Sequence, residues 1–221
     1  MPTIKATLRD LVIVTWAVPR DDVARLLPDG LVPQAADGAG QRALMSIAMM
    51  LDRTFSQTYA QVNERTYVVQ RDGSDPGAYF FQSLANTWQA TVSHLLFHVP
   101  LARADTRLVV KGDDYRFTLR RSPIARLRLR PPSTEYGSGL DVKRVKDIAA
   151  NPKIGYTLDG GVLHETHVTH APLCPRDVTV ESVDTGFMLA RSAMDGSPPV
   201  AAWYVARTPF DIHWPASHVS A

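Results

Sequence analysis

The sequence predicts an α+β fold, mainly antiparallel β, whose sheet closes or nearly closes on itself. Many short segments rich in β-branched and aromatic residues lie between turn residues, whereas helical periodicity is confined to a few segments. Closing such a sheet removes its unpaired edges and leaves an interior cavity. The chain has 221 residues, 45% of them hydrophobic, which suffices for one substantial core, so we expect a single domain over residues 1–221.

The predicted strands are short stretches in which Val, Ile, Leu and aromatic residues alternate with polar residues or follow one another. They cover residues 11–18, 43–51, 65–70, 78–82, 107–111, 115–119, 126–130, 154–158, 162–168, 178–183, 200–207 and 210–214.

Four helices are predicted between these strands. The first covers residues 19–27, because Pro19 and two acidic residues precede an apolar pattern that Pro28 ends. The longest covers residues 83–99, where apolar residues recur at helical spacing up to Pro100. Two shorter helices are expected over residues 142–150 and 184–194, the latter with Asp184 as its N-cap.

Composition limits the partners and the compartment. Lys and Arg total 24 against 22 for Asp and Glu, and this small excess argues against nucleic acid as the main partner. The single cysteine, Cys174, excludes an internal disulfide and suits a reducing compartment. An apolar run at residues 11–14 is too short for a signal peptide or a membrane span. We therefore expect a cytoplasmic protein that binds a small molecule and no membrane, with a homo-oligomer left open.

A polar stripe is predicted on one strand. If residues 61–67 are extended, Gln61, Asn63, Arg65 and Tyr67 project from the same face. This face meets either solvent or a ligand cavity, and the pattern alone leaves both interpretations open. In a cavity, the arginine would bind a carboxylate, enolate or phenolate through its planar guanidinium group.

Three histidines near residue 167 resemble a metal cluster, but strand geometry argues against one. His164, His167 and His170 are three residues apart, so His167 points to the opposite face of a strand from the other two. Glu165 and His167, by contrast, share a face and could form a carboxylate-oriented general acid or base. The alternative is a surface pair without a catalytic role.

A basic hairpin is predicted over residues 116–130. Arginines alternate with apolar residues on both strands, and Ser122 and Pro123 are expected to form the turn. Such a face is either solvated or docks an anionic partner.

His98, near the end of the longest predicted helix, is either a packed residue or an acid or base aimed into a cavity.

No dinucleotide fingerprint, phosphate-binding loop or nucleophile elbow occurs in the sequence. We therefore predict no cofactor, although a nicotinamide cofactor bound by a different fold is not excluded, and we predict no metal site.

Several segments resemble, in order, the DUF2071 branch of the acetoacetate-decarboxylase-like superfamily. They are Trp16-Ala17-Val18-Pro19, Leu26-Leu27-Pro28-Asp29-Gly30-Leu31, Asn63-x-Arg65-Thr66-Tyr67-Val68, Ala78-Tyr79-Phe80-Phe81, Leu95-Leu96-Phe97-His98-Val99-Pro100, Glu165-x-His167 and Pro172-Leu173-x-Pro175. The resemblance implies a cone-like closed β barrel with an internal pocket and a few peripheral helices.

The same resemblance bears on mechanism. In acetoacetate decarboxylase a lysine just after the helix-ending proline forms a Schiff base with the substrate. Leu101 and Ala102 follow Pro100 here, and the first-strand arginine of the decarboxylase corresponds to Ala17. The resemblance therefore implies a pocket widened at Leu101 and Ala102 and a chemistry without a Schiff base.

We hypothesise a lyase, cyclase or isomerase that acts on a carbonyl-rich or polyketide-like metabolite. Arg65 and Tyr67 would stabilise an oxyanion, while His167, oriented by Glu165, would transfer a proton. Substrate contacts are expected from Gln61, Asn63, Trp88, His98, Leu101 and Ala102. The alternatives are a non-catalytic small-molecule-binding protein and a nicotinamide-dependent reductase that uses the barrel pocket.

Overall fold

The computed structural model describes residues 3–54, 57–88, 101–132, 139–213 and 216–219. Its strands are β1 (Thr3–Pro19), β2 (Leu31–Pro33), β3 (Arg42–Thr54), β4 (Gln57–Gln70), β5 (Gly77–Ala85), β6 (Leu101–Arg103), β7 (Thr106–Lys111), β8 (Asp114–Leu119), β9 (Ser122–Arg128), β10 (Ile154–Asp159), β11 (Val162–Thr169), β12 (Arg176–Asp177), β13 (Thr179–Val183), β14 (Ala201–His213) and β15 (Ser217–His218). The helices are α1 (Arg20–Ala24), α2 (Val142–Ala150) and a 3₁₀ turn at Arg191–Ala193. Within these ranges, no helix combines the length and the apolar character needed to cross a membrane.

Seven strands form a ring of hydrogen-bonded neighbours in the order β14, β1, β3, β4, β5, β10, β11. The ring closes because β11 pairs with β14 at Val168 and Ile212. Its pairings are antiparallel except that between β5 and β10. The predicted fold class, mainly antiparallel β with few helices, is therefore confirmed.

A second sheet of β13, β9, β8 and β7 covers part of the outside of the ring. Its apolar residues, including Tyr115, Phe117 and Leu127, share one core cluster with Val12 and Val14 of β1. Strand β1 is thus buried on both faces, which accounts for its continuous apolar run. The turn of the expected basic hairpin differs from the prediction: it lies at residues 120–121, where Arg120 and Arg121 have φ of 50° and 68°.

Helix α2 packs against the inner face of the ring. Val145 and Ala149 share a core cluster with Leu44 and Tyr67. Asp141 caps the helix by accepting hydrogen bonds from the backbone N–H groups of residues 143 and 144, at 2.9 and 3.3 Å. This helix confirms the prediction for residues 142–150.

Two helix predictions are wrong in part. Residues 83–85 of the longest predicted helix belong to β5, and residues 89–99 lie outside the described residues. Residues 184–194 contain only the 3₁₀ turn, because the Glu64 carboxylate fixes this segment in an irregular conformation. It accepts hydrogen bonds from the backbone N–H groups of Leu189 and Ala190, both at 2.8 Å, and from Nε2 of Gln82 at 2.7 Å.

Candidate active site

A narrow cavity of about 180 Å³ lies inside the ring. Its walls are built by the inward-facing residues of β1, β3 and β4 on one side and of β5, β10, β11 and β14 on the other. Apolar side chains such as Ile13, Met50, Phe80, Phe210 and Ile212 form most of its surface.

The polar stripe of β4 faces this interior. Gln61, Asn63 and Arg65 line the cavity, and each is at most 9% exposed. Tyr67, also buried, lies behind Arg65. Of the two interpretations that the sequence pattern left open, solvent or a ligand cavity, the structure shows the cavity for Gln61, Asn63 and Arg65.

Arg65 is held by neutral partners at one end of the cavity. Its Nε donates to the Tyr67 hydroxyl at 3.2 Å, and its terminal nitrogen donates to the Ala149 carbonyl oxygen at 3.0 Å. The Tyr67 hydroxyl lies 3.0 Å from Oγ of Ser46. Within the described part of the chain, no carboxylate is within ion-pair distance of this guanidinium group. A buried cation without a counter-ion provides a binding site for an anion.

Asp52 lies at the other end of the cavity and is not among the site residues predicted from the sequence. Burial raises the pKa of its carboxyl group to about 6, although hydrogen bonds from Thr54 and Tyr59 lower that pKa in part. The Thr54 hydroxyl donates at 2.7 Å. A pKa of about 6 lets the group both accept and donate a proton near neutral pH.

A signal for Asp52 was present in the sequence. The strand was predicted to end at residue 51, but β3 continues to Thr54. Ala48, Met50 and Asp52 alternate along it and line the cavity together. A strand extended by a few residues would have placed this acid on the inner face.

Three buried hydroxyl groups on the opposite wall have no hydrogen-bond partner among the described residues. They belong to Ser83, Thr157 and Thr166, which are 0%, 2% and 8% exposed and line the cavity. Buried hydroxyl groups are nearly always paired in folded proteins. These three are therefore available to a bound ligand or to water.

Glu165 and His167 lie on the outer face of β11. The cavity-facing residues of this strand are Thr166 and Val168, whereas Glu165 and His167 have the opposite parity. The His167 Nε2 atom is 3.4 Å from a Glu165 carboxylate oxygen, which also accepts a hydrogen bond from Ser217 at 3.0 Å. The expectation of one pocket shared by Arg65, Tyr67, Glu165 and His167 is therefore corrected, because alternation along β11 turns the last two away.

His167 instead borders an open cleft of about 840 Å³ beside α2, which Asp75, Asp147 and Lys153 also line. His164, on the inward parity of β11, is buried, and His170 stacks on Phe210 with ring centres 4.3 Å apart. Among the described residues, no three His, Cys, Asp or Glu side chains are grouped as a metal site would require.

The other expected substrate contacts are not on the cavity wall formed by the described residues. Leu101 is buried in a small cluster with Tyr59 and Ala85, because β6 pairs alongside β5. Ala102 points outward, and Trp88 is 60% exposed. His98 lies outside the described residues. The expected widening of the pocket at Leu101 and Ala102 is thus corrected.

None of the chain's lysines lines the cavity. The sequence contains five, all within the described residues: Lys5, Lys111, Lys143, Lys146 and Lys153. Lys143 and Lys153 border the outer cleft instead.

The comparisons with known proteins agree with this architecture. The model of the DUF2071 family, described as an uncharacterized conserved protein, matches residues 5–208. Acetoacetate decarboxylase from Legionella pneumophila shares 12% identity at a TM-score of 0.64, with 100% of this chain and 88% of that chain covered. An acetoacetate decarboxylase-like enzyme from Sphingomonas wittichii RW1 shares 10% identity at a TM-score of 0.64, with 99% and 93% covered.

The enduracididine biosynthesis enzyme MppR complexed with pyruvate shares 12% identity at a TM-score of 0.61, with 100% of this chain and 91% of that chain covered. At such identities the likeness concerns the fold. No curated protein sequence matches the chain.

Proposed function

This chain belongs to the DUF2071 family. From its cavity we propose that it is an enzyme that transforms an anionic carbonyl compound by general acid and base catalysis. The observation that carries the proposal is a buried carboxyl group with a pKa of about 6, at Asp52, on the wall of a cavity that also contains an arginine. The reaction class is that of a lyase, cyclase or isomerase, in which a proton leaves or joins a carbon beside a carbonyl group.

Asp52, and not His167 as predicted from the sequence, transfers the proton in this proposal. As a carboxylate it removes a proton from the carbon next to a carbonyl group, which leaves an enolate and a neutral Asp52. Return of that proton to another carbon atom completes an isomerisation and regenerates the carboxylate. In a dehydration the proton instead goes to a hydroxyl group one carbon further along, the C–O bond breaks as the enolate collapses, and water leaves. Gln61, which follows Tyr59 on the inner face of β4, offers an amide N–H to the enolate oxygen.

Arg65 binds the anionic group of the ligand. Acetoacetate decarboxylase has an arginine on its first strand, and the resemblance places Ala17 at that position in this chain. However, Arg65 and Thr15 both lie opposite Ser46, so the backbone of Arg65 lies two residues along the sheet from the level of Ala17. The guanidinium group of Arg65 on β4 can thus bind the carboxylate that the decarboxylase arginine would bind from the first strand. The Tyr67 hydroxyl group, which accepts a hydrogen bond from Arg65, positions it.

An imine mechanism is not part of this proposal. A Schiff base requires an amine in the cavity, and all five lysines lie elsewhere. The cavity volume also argues against a bulky ligand. Pockets for drug-sized ligands usually measure about 300–1,000 Å³, so about 180 Å³ is small for a bulky polyketide-like intermediate or an enclosed dinucleotide.

Deuterium exchange tests the proposal without a known product. The protein is incubated in D₂O with straight-chain oxo acids, and loss of the proton beside the carbonyl group is followed by proton NMR. Replacing Asp52→Asn should slow exchange by about 100-fold or more, while the exposed Asp177→Asn serves as the matched control. Exchange that persists in Asp52→Asn would rule out this role. Saturable binding without exchange of any oxo acid would instead support the non-catalytic binding protein.

A further inference from the structure

We infer that the ligand is an elongated monoanion, with its carboxylate at Arg65 and the part farthest from the carboxylate at Asp52. This inference specifies the substrate class of the proposed enzyme and rests on that proposal only for the role of Asp52. It is carried by the strand register, by the directions of the two charged side chains and by the shape of the cavity.

The two groups lie far apart along the ring. Arg65 is opposite Ser46, whereas Asp52 is opposite Tyr59, six residues further along β3. At about 3.3 Å per residue, these two levels of the sheet are roughly 20 Å apart. A ligand as short as pyruvate or acetoacetate therefore cannot contact both groups.

The side chains do not close this distance. Arg65 is bonded to the Tyr67 hydroxyl and the Ala149 carbonyl, and Tyr67 lies further from the Asp52 level than Arg65 does. Asp52 is bonded to Thr54, which lies further from the Arg65 level. Each charged group is thus held toward its own end of the cavity.

The space between the ends suits a mainly hydrocarbon chain. Ala48, Met50, Leu11 and Ile13 line it on one side, and Phe80 lines it on the other. Its polar groups at this level are Gln61 and Asn63, which are hydrogen-bonded to each other at 2.7 Å, and the Ser83 hydroxyl group. A sphere of about 180 Å³ would measure only about 7 Å across, against roughly 20 Å between the two levels. The cavity is therefore a narrow passage, and its Asp52 end is bordered by the apolar Leu8, which pairs with Asp52 across β1 and β3.

A series of saturated straight-chain carboxylates from four to fourteen carbons tests the inference by calorimetry. Each added methylene should tighten binding about fourfold, from the transfer of one CH₂ out of water at about 0.8 kcal/mol. The gain should stop when the chain reaches the Asp52 end. Primary alcohols of the same lengths should bind at least tenfold more weakly, and Arg65→Gln should remove that difference.

Ala48→Leu supplies a second test, because Ala48 is fully buried midway along the passage, opposite Asn63. The larger side chain should shorten the best-bound chain while leaving the acids of four to six carbons unaffected, and a thermal unfolding scan verifies folding. If the variant fails to fold, Met50→Ala replaces it and should tolerate longer or bulkier chains. Affinity that does not change with chain length in wild-type protein overturns the inference.

The failure of the inference and of the proposed function can be told apart. Asp52→Asn should keep the chain-length profile even though it loses proton exchange. A normal profile without exchange refutes the proposed catalysis alone. A flat profile together with exchange on short oxo acids refutes the elongated ligand alone.

Discussion

Strands β4 and β11 carry similar polar patterns in the sequence and opposite arrangements in space. Each has ionisable residues two positions apart, Arg65 and Tyr67 on β4 and Glu165 and His167 on β11. On β4, Arg65 lines the inner cavity and Tyr67 is buried behind it, while the β11 residues face outward, with the His167 side chain 49% exposed. Spacing along one strand identifies residues that share a face, but not which face it is.

The largest expected contrast concerns two carboxyl groups on opposite faces of the ring, those of Asp52 and Glu165. The folded-state pKa of Asp52 is about 6, above its ordinary value of 3.8. Its contribution to stability is thus present in full below pH 4 and is lost as the pH rises through 6. Asp52→Asn should therefore be more stable than wild-type protein at pH 8, by up to about 3 kcal/mol, and nearly equal to it at pH 4.

Urea unfolding at both pH values measures this difference. Glu165→Gln, on the outer face, should change the free energy of unfolding by less than about 1 kcal/mol at either pH. A loss of stability in Asp52→Asn at pH 8 would contradict the buried position of this carboxyl group.

The second contrast compares ligand binding at Arg65 and His167. Arg65→Gln removes the only charged group at its end of the described cavity wall, so carboxylate affinity should fall about 10- to 100-fold. His167→Gln should change the affinity less than twofold, because this side chain faces away from the cavity. Calorimetry with the best-bound straight-chain acid gives both values, and equal losses would mean that the ligand occupies the outer cleft.

The third contrast compares two carboxylates outside the cavity, those of Glu64 on β4 and Glu181 on β13. Glu64 is fully buried on the outer face and binds two backbone N–H groups of the 189–190 segment. Glu64→Gln places an amide where a two-oxygen acceptor is needed, and we expect a loss of about 1–3 kcal/mol in unfolding free energy. The control is Glu181→Gln, whose partly exposed pair with Arg128 should contribute less than about 1 kcal/mol. Faster proteolysis near residue 189 in Glu64→Gln alone would locate the effect.

The smallest expected effect is that of Tyr67→Phe. Loss of the hydroxyl leaves Nε of Arg65 without this acceptor and should cost about 1 kcal/mol of stability. Carboxylate affinity should fall only severalfold, because Arg65 retains its bond to the Ala149 carbonyl. A loss as large as that of Arg65→Gln would make Tyr67 a direct ligand contact.

The sequence predicted the fold better than the site. Strand positions follow from local alternation, and α2 follows from its apolar spacing and the acceptor at Asp141. The 184–194 segment was mistaken for a helix because its partner, Glu64, lies more than a hundred residues earlier in the chain. Asp52 was missed because strand ends are poorly marked by composition, and its altered pKa arises from burial by other strands.

Residue order along the chain was therefore enough to establish a mainly antiparallel fold and to group Gln61, Asn63 and Arg65 on one face, because both depend on periodicity within single strands. It also showed that the chain has few amines for imine chemistry. The tertiary structure decided which face of each strand became interior, since that depends on how β11 meets β14 and how the second sheet covers β1. Ring closure placed Arg65 and Asp52 at opposite ends of one cavity and left Glu165 and His167 outside it.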